Sequence, residues 1–293
     1  MTVPNLFLVG AAKSGTTSME NYLSEHPEIF FSPESEVHHF GKDLDIKYRV
    51  ADRTEYLQLF ADAGDAVAVG EKSIGYLFSK TAAAEIYEFN PNAKIVILLR
   101  NPVDMMFSLH RQFVRSSNED IVDFAEALQA QSDRHHGKRI PHTAHKPEML
   151  QYFNVVDYAP QVKRYLEVFG DQCLVLLFDD LVRDPAGTYR AVLEHVGADP
   201  DFAPEFEVHN QTIDLPSVAL RRLMAKVPWL TKAMRNVMPP RYRRKLRRAS
   251  AVVQKQPDRK LDPVLRRDLL CRFETQIDAL GALIDRDLSG WQS

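Results

Sequence analysis

At 293 residues the chain has room for one large α/β domain or two small ones and for a sizeable core. Its formal net charge of -3 excludes the global basic field of a nucleic-acid binder, so any charge argument is local. Two cysteines, Cys173 in an expected buried strand and Cys271 in an expected helix, imply no disulfide framework and fit a reducing compartment. No stretch approaches the roughly 20 apolar residues that span a bilayer. Leu6 to Val9 is too short for the apolar part of a leader, and the expectation is a cytoplasmic protein.

Phe7-Leu8-Val9-Gly10 reads as a short strand, Ala11-Ala12-Lys13-Ser14-Gly15 as a small-residue turn with one lysine, and Thr16-Thr17-Ser18 as the opening of a helix. Met19, Tyr22 and Leu23 give that helix an apolar face. In such a strand-loop-helix the unpaired N–H groups and the positive end of the helix dipole converge on one point, and glycine lets the backbone come close. Phosphate or sulfate is the natural occupant. The loop is not the nucleoside-triphosphate form G-x-x-x-x-G-K-[ST], because Lys13 comes before Gly15 and Thr16 stands where that lysine belongs.

His26-Pro27-Glu28 stops the helix, and Ile29-Phe30-Phe31 is a second strand. Directly behind it, Glu36, His38 and His39 suit general-base work, metal binding or an ordinary loop. For a metal the spacing is poor, since neighbours in an extended segment point to opposite sides. Residues 43–63 read as a polar loop and a helix (Tyr56, Leu57, Leu59, Phe60) lining the entrance to the site. Ala66 to Gly70 is a third strand, running into Glu71-Lys72-Ser73, where Lys72 is either solvated or aimed at the same anion.

Lys94 to Leu99 is an apolar run without alternation, as expected of a parallel strand covered on both faces. Asn101 caps the next helix, with Pro102 at its first position and Met105, Met106, Leu109 and Phe113 as its stripe. Arg100 at the strand end either caps a carbonyl or faces an anion, and Ser108 lies on the helix. Ser116 to His145 is polar, with a helix from Ile121 to Ala130 and a His- and Arg-rich loop from Arg134 to Pro147. It reads as an insertion near an acceptor site or as a disordered lid.

A further helix begins at Asp157-Tyr158-Ala159, with Tyr158 either in the core or near a ligand. Cys173 to Phe178 is a fifth strand ending in Asp179-Asp180, and in a P-loop kinase such an aspartate would serve a magnesium site. Between Leu215 and Pro257 there is no acidic residue, while Arg221, Arg222, Arg241, Arg243, Arg244, Arg247 and Arg248 recur. A charge run this one-sided, centred on residues 217–250, is expected to meet an anionic acceptor or an anionic membrane surface. Asp262-Pro263 through Ile284 is a long amphipathic helix, and the chain closes with Leu288-Ser289-Gly290-Trp291.

Lys13-Ser14-Gly15-Thr16-Thr17-Ser18 resembles the first loop, K-x-G-T-T-S, of sulfotransferases that use 3′-phosphoadenosine 5′-phosphosulfate (PAPS). Leu99-Arg100-Asn101-Pro102 with Ser108 is similar to their second nucleotide motif, and Ser35-Glu36-Val37-His38-His39-Phe40 to the K-E-x-x-F-F run of the bacterial and carbohydrate (heparan-sulfotransferase-like) members. Serine replaces the lysine of that run and His39 its first phenylalanine. Glu71-Lys72-Ser73 matches an E-K-[ST] run, Tyr158-Ala159 stands where the family often shows G-x-Y-A, and the stretch from Phe178 is similar to a structural F-[ED]-D-L-x-x-D-P run.

The resemblance implies one three-layer α/β/α domain over residues 1–293, with a central parallel sheet and a P-loop-like phosphate site. It implies transfer of a sulfuryl group from PAPS, leaving 3′-phosphoadenosine 5′-phosphate (PAP), to a hydroxyl or amine of a glycan or lipid-linked acceptor, without a metal. Lys13 is then expected at the leaving phosphate, Ser14, Gly15, Thr16, Thr17 and Ser18 around the 5′-phosphate, and Arg100 and Ser108 on the 3′-phosphate. Tyr158 falls near the nucleotide, Glu36 is the base with His38 or His39 as substitutes, and Lys72 contacts the transferred group or the acceptor. One of Lys255, Arg259 and Lys260 is expected to close over the nucleotide.

Overall fold

Five apolar runs become five strands: β1 (Leu6–Gly10), β2 (Ile29–Phe31), β3 (Ala68–Lys72), β4 (Lys94–Leu99) and β5 (Cys173–Leu177). They form one parallel sheet in the order β2-β3-β1-β4-β5. The structure is a computed structural model and describes residues 2–206 and 260–292. The basic segment 217–250, together with Lys255 and Arg259, lies outside the described residues.

The longer helices are α1 (Thr16–Leu23), α2 (Ala82–Phe89), α3 (Pro102–Arg115), α4 (Tyr158–Phe169), α5 (Pro185–Val196) and α6 (Pro263–Ile284). Caps set their starts: Asn101, expected from sequence, accepts the N–H groups of Val103 and Asp104, and Asp262 accepts those of Val264 and Leu265. Among the described residues no helix is long and apolar enough to cross a membrane.

Alternate residues of the central strands feed two cores. Phe7 and Val9 of β1 and Ile95, Ile97 and Leu99 of β4 pack on the side of α2, α3, α4 and α6. Leu6, Leu8, Val96 and Leu98 pack on the other side, with Met19 of α1 and Tyr189, Val192 and Leu193 of α5. Burial on both faces is why these strands show no polar alternation, and the result is the expected three-layer α/β/α arrangement.

The chain runs from β1 to β2 on one side of the sheet and from β4 to β5 on the other, so strand order reverses between the neighbours β1 and β4. The crevice at the carboxyl ends of those two strands is where ligands bind in open parallel sheets. The loop carrying Lys13 leaves β1 there, and Arg100 follows β4.

Three expectations change. The third strand runs two residues further than expected, through Glu71 and Lys72, because both are buried and their backbone pairs with Phe7 and Leu8. Tyr56 and Phe60 do not line an entrance: both are fully buried, and the Tyr56 hydroxyl donates to Glu71 at 2.7 Å. The segment after Ser116 is no disordered lid, since it forms two short helices, Phe124–Gln129 and Gln131–His135. A buried pair between Arg134 and Glu119 at 2.6 Å anchors it, and Tyr152 also donates to that carboxylate at 2.9 Å.

Candidate active site

The loop after β1 is shaped by its smallest residue. Gly15 sits at φ +85°, and a Cβ there would lie 2.7 Å from Leu181 and 3.1 Å from Phe178, so any side chain collides. Its carbonyl accepts the Met19 N–H at 3.0 Å, and the N–H groups of Thr16, Thr17 and Ser18 fall in the first turn, where a helix offers them no carbonyl. Ser14 is buried with its hydroxyl on the Ala12 carbonyl at 3.2 Å, so it brings only its backbone to the loop. Thr16 and Ser18 are buried, and Thr17 is exposed.

Three cations gather at this turn. Arg100 donates to the Lys13 carbonyl at 3.2 Å and lies over the Phe178 ring, 4.7 Å from its centre. Burial, then the charges of Arg115 and Arg100, pull the Lys13 ammonium down to about 8. Arg115 itself is held down by burial and by Arg111. Among the described residues no carboxylate pairs with Lys13, Arg100 or Arg115. Like charges brought together without a counter-charge are unfavourable alone and favourable around a bound anion.

Ser108 lies half-buried on α3, two turns before Arg115, so helical spacing sets both on one face. Tyr158 is buried at the start of α4, its hydroxyl has no partner among the described residues, and Arg100 is the charge that acts on it. Burial pushes that phenol far above its ordinary range.

The second half of the site is built on the end of β3. Lys72 is buried, with its ammonium 2.9 Å from Glu20, 3.3 Å from the Thr17 hydroxyl and 3.9 Å from Glu36. One side chain thus touches the phosphate-type loop and the candidate base. Glu36 also lies 2.9 Å from Lys146 and 3.0 Å from His38 Nε2. Burial pushes the Glu36 carboxyl up, but Lys146, the contact with His38 and Lys72 together outweigh it and hold the group well below the usual carboxylate range.

Glu36 and His38 both adopt positive φ, +61° and +50°, which costs a residue with a side chain on the order of 1–3 kcal/mol. The surroundings fix this conformation. The Glu36 N–H donates to Lys72 O at 2.9 Å, His38 N–H to the Ser73 hydroxyl at 3.0 Å, and Phe40 N–H to the Tyr76 hydroxyl at 3.2 Å. Beneath them, Ser73, Tyr56 and Tyr76 all donate to the buried Glu71 carboxyl. Burial raises Glu71 to about 7 against those three donors.

His38 is buried beside Glu36, and burial keeps its imidazole below the ordinary value. His39 stacks on Tyr56 at 4.1 Å with its Nδ1 2.7 Å from the Val50 carbonyl, so of the two histidines it is His38 that meets Glu36. Asp179 accepts the Trp291 indole N–H, and Asp180 pairs with Arg183 and Arg286, so neither is a free magnesium ligand. Among the described residues, no group of three or more His, Cys, Asp or Glu is placed to hold a metal. Lys260 is exposed at the border of the described residues.

Three residues at the site were not singled out from sequence. Arg115 and Glu20 were legible in principle, by helical spacing from Ser108 and from Thr17. Lys146 gave no such signal, because a contact with Glu36 across 110 positions depends on how a loop is folded.

Residues 42–202, just over half of the chain, match the sequence model of the sulfotransferase family. The structure is similar to that of a sulfotransferase from Alicyclobacillus acidocaldarius, with 32% identity, full coverage of both chains and a TM-score of 0.76. Human carbohydrate sulfotransferase 15 is 27% identical over 43% of this chain and 30% of its own length. The chain spans 22% to 51% of the length of other curated relatives it resembles, among them human and mouse heparan sulfate sulfotransferases. Mouse sulfotransferase SULT7A1, solved with PAP, shares the fold at 13% identity, with a TM-score of 0.50 over 94% of this chain and 86% of that one.

Proposed function

Because this chain belongs to the sulfotransferase family, we propose that it transfers a sulfuryl group from PAPS to a hydroxyl of a carbohydrate acceptor. The observation that carries the reading is Lys72, whose ammonium reaches both Thr17 of the anion loop and Glu36. Donor and acceptor sites therefore share one wall, as a direct transfer requires.

The residues present fit the nucleotide. Lys13, Arg100 and Arg115 form a cationic cluster without a counter-charge among the described residues, Ser108 lies half-buried on the helix that carries Arg115, and the Tyr158 hydroxyl has no partner among the described residues. A guanidinium fork suits a 3′-phosphate better than an ammonium does, which assigns that phosphate to Arg100 with Ser108. The backbone of residues 14–18 and the Thr16 and Thr17 side chains hold the 5′-phosphate, by the anion-binding property of a helix start. PAPS supplies the activated sulfuryl group.

Lys13 provides fixed positive charge where the leaving phosphate gains negative charge, and Lys72 does the same beside the group in transit. Glu36 takes the proton of the acceptor hydroxyl, with His38 as its buried neighbour. A carbohydrate acceptor is supported by relatives named as carbohydrate and heparan sulfate sulfotransferases. A magnesium-dependent kinase reading is disfavoured by the engagement of Asp179 with Trp291.

Incubating the protein with labelled PAPS and a panel of saccharides tests the function. Label should appear on a saccharide and PAP in solution, with no dependence on ATP. Phosphorylation from ATP and magnesium, with no transfer from PAPS, would contradict it.

A further inference from the structure

Lys146 is delivered to Glu36 by a loop that the proposed chemistry leaves unexplained. Residues 142–148 are laced to residues 45–48: Lys47 N–H donates to His145 O at 3.2 Å, the Lys47 ammonium to His142 O at 2.6 Å, and Asp45 N–H to Glu148 at 2.9 Å. The exposed Tyr48 ring meets His145 edge-on at 5.0 Å. Between these ties the Lys146 ammonium, 20% exposed, lies 2.9 Å from Oε2 of Glu36.

That contact obstructs a base. Oε2 of Glu36 is approached by Lys146 and by His38, and Oε1 faces Lys72 at 3.9 Å. An acceptor hydroxyl needs one of those oxygens, and Lys146 is the partner with water access: Lys72 is 6% and His38 1% exposed at the side chain. Beside His38, Arg49 donates to the carbonyls of Phe40 and Gly41, and among the described residues no carboxylate pairs with it. A ligand carrying a negative charge would give Lys146 a new partner when it leaves Glu36.

We propose that Lys146 recognises an acidic acceptor, leaving Glu36 for a carboxylate or sulfate on the incoming saccharide and so freeing the base only when such an acceptor is bound. The inference rests on the reading of Glu36 as the base. Lys146 is a positioning and specificity residue, and the class of substrate is an acidic saccharide rather than a neutral one.

The test compares a hexuronate-containing disaccharide with its carboxyl-reduced counterpart, measuring kcat, KM and the pH profile in wild type, Lys146→Met and Lys146→Arg. The groups facing Glu36 are Lys72 from β3 with Glu20 of α1 behind it, Lys146 from the loop, His38 and Arg49 beside it, and Glu71 beneath. Lys146 lowers the Glu36 pKa, so its removal should move the acid limb of kcat/KM to higher pH. Wild type should favour the acidic disaccharide by at least about tenfold in kcat/KM, the effect of one charge-assisted contact. Lys146→Met should erase the preference mainly through KM, Lys146→Arg should restore it, and PAP affinity should stay unchanged in both.

An unchanged acid limb and preference in Lys146→Met, or a wild type that does not favour the acidic disaccharide in turnover or binding, overturns the proposal. Glu36→Gln separates the two readings. Near-normal turnover in that variant removes the base assignment itself, whereas loss of turnover there with an unaffected Lys146→Met removes the inference alone.

Discussion

The two ends of the site hold charge in opposite ways. At the nucleotide end Lys13, Arg100 and Arg115 stand together with no carboxylate among the described residues, so they repel one another until an anion arrives. At the acceptor end Glu36 and Glu20 are already covered by Lys72 and Lys146. The first end is poised to bind, and the second must exchange partners before it can react. Nucleotide affinity should therefore be indifferent to Glu36 and Lys146, and turnover should depend on both ends.

The largest expected effect is on turnover. Glu36→Gln should lower kcat by about 10²–10⁴-fold, the range of general-base catalysis, with PAP affinity unchanged in calorimetry. A parallel loss of PAP affinity would mean that the two ends are not separate. Arg100→Ala should act in reverse, removing charge-assisted hydrogen bonds of roughly 1.5–3 kcal/mol each and so weakening PAP by at least about tenfold.

The protonation of Lys13 sharpens the contrast. In the free protein its ammonium titrates near 8, and a bound phosphate would raise it. PAP affinity should then hold below pH 8 and fall by up to about tenfold per pH unit above it. Lys13→Arg should bind PAP with no such fall, since a guanidinium stays charged. A flat profile in wild type would mean that Lys13 does not meet the nucleotide.

The smallest effects concern the support beneath Glu36. Glu71→Ala leaves the hydroxyls of Tyr56, Ser73 and Tyr76 without their acceptor and should cost about 1–3 kcal/mol in urea unfolding, with Glu71→Gln milder. Glu71 is also a carboxyl raised to about 7 in the folded state. The folded protein holds that proton over a range where the unfolded chain has lost it, so this group's contribution to stability should fall as pH rises from about 4.5 to about 7 and level off above. Glu71→Gln should remove that part of the slope.

How much of this was legible in the sequence follows from the range of each interaction. The anion loop, the cap at Asn101, the last helix from Asp262-Pro263 and the uninterrupted apolar strands are local patterns, and each lies where its pattern put it. The sequence left His38 and His39 as equal substitutes, and which of them meets Glu36 goes with the positive φ of Glu36 and His38, which no local pattern announced. What could not be read was the direction of an apolar helix face and the reach of a loop. Tyr56 and Phe60 carry the same letters whether they face a cleft or a core. Lys146 sits in a run of His and Arg that gives no sign of which cation meets Glu36.

The account depends most on the nucleotide end being built for a 3′-phosphate, and one pair of titrations addresses it directly. Calorimetry of PAP and of adenosine 5′-phosphate against wild type and Arg100→Ala measures what the 3′-phosphate contributes and whether Arg100 supplies it. The account predicts that wild type binds PAP at least about tenfold more tightly, and that Arg100→Ala loses most of that difference while keeping its affinity for the monophosphate. Equal affinity of wild type for the two nucleotides, or a difference that survives Arg100→Ala, would contradict it.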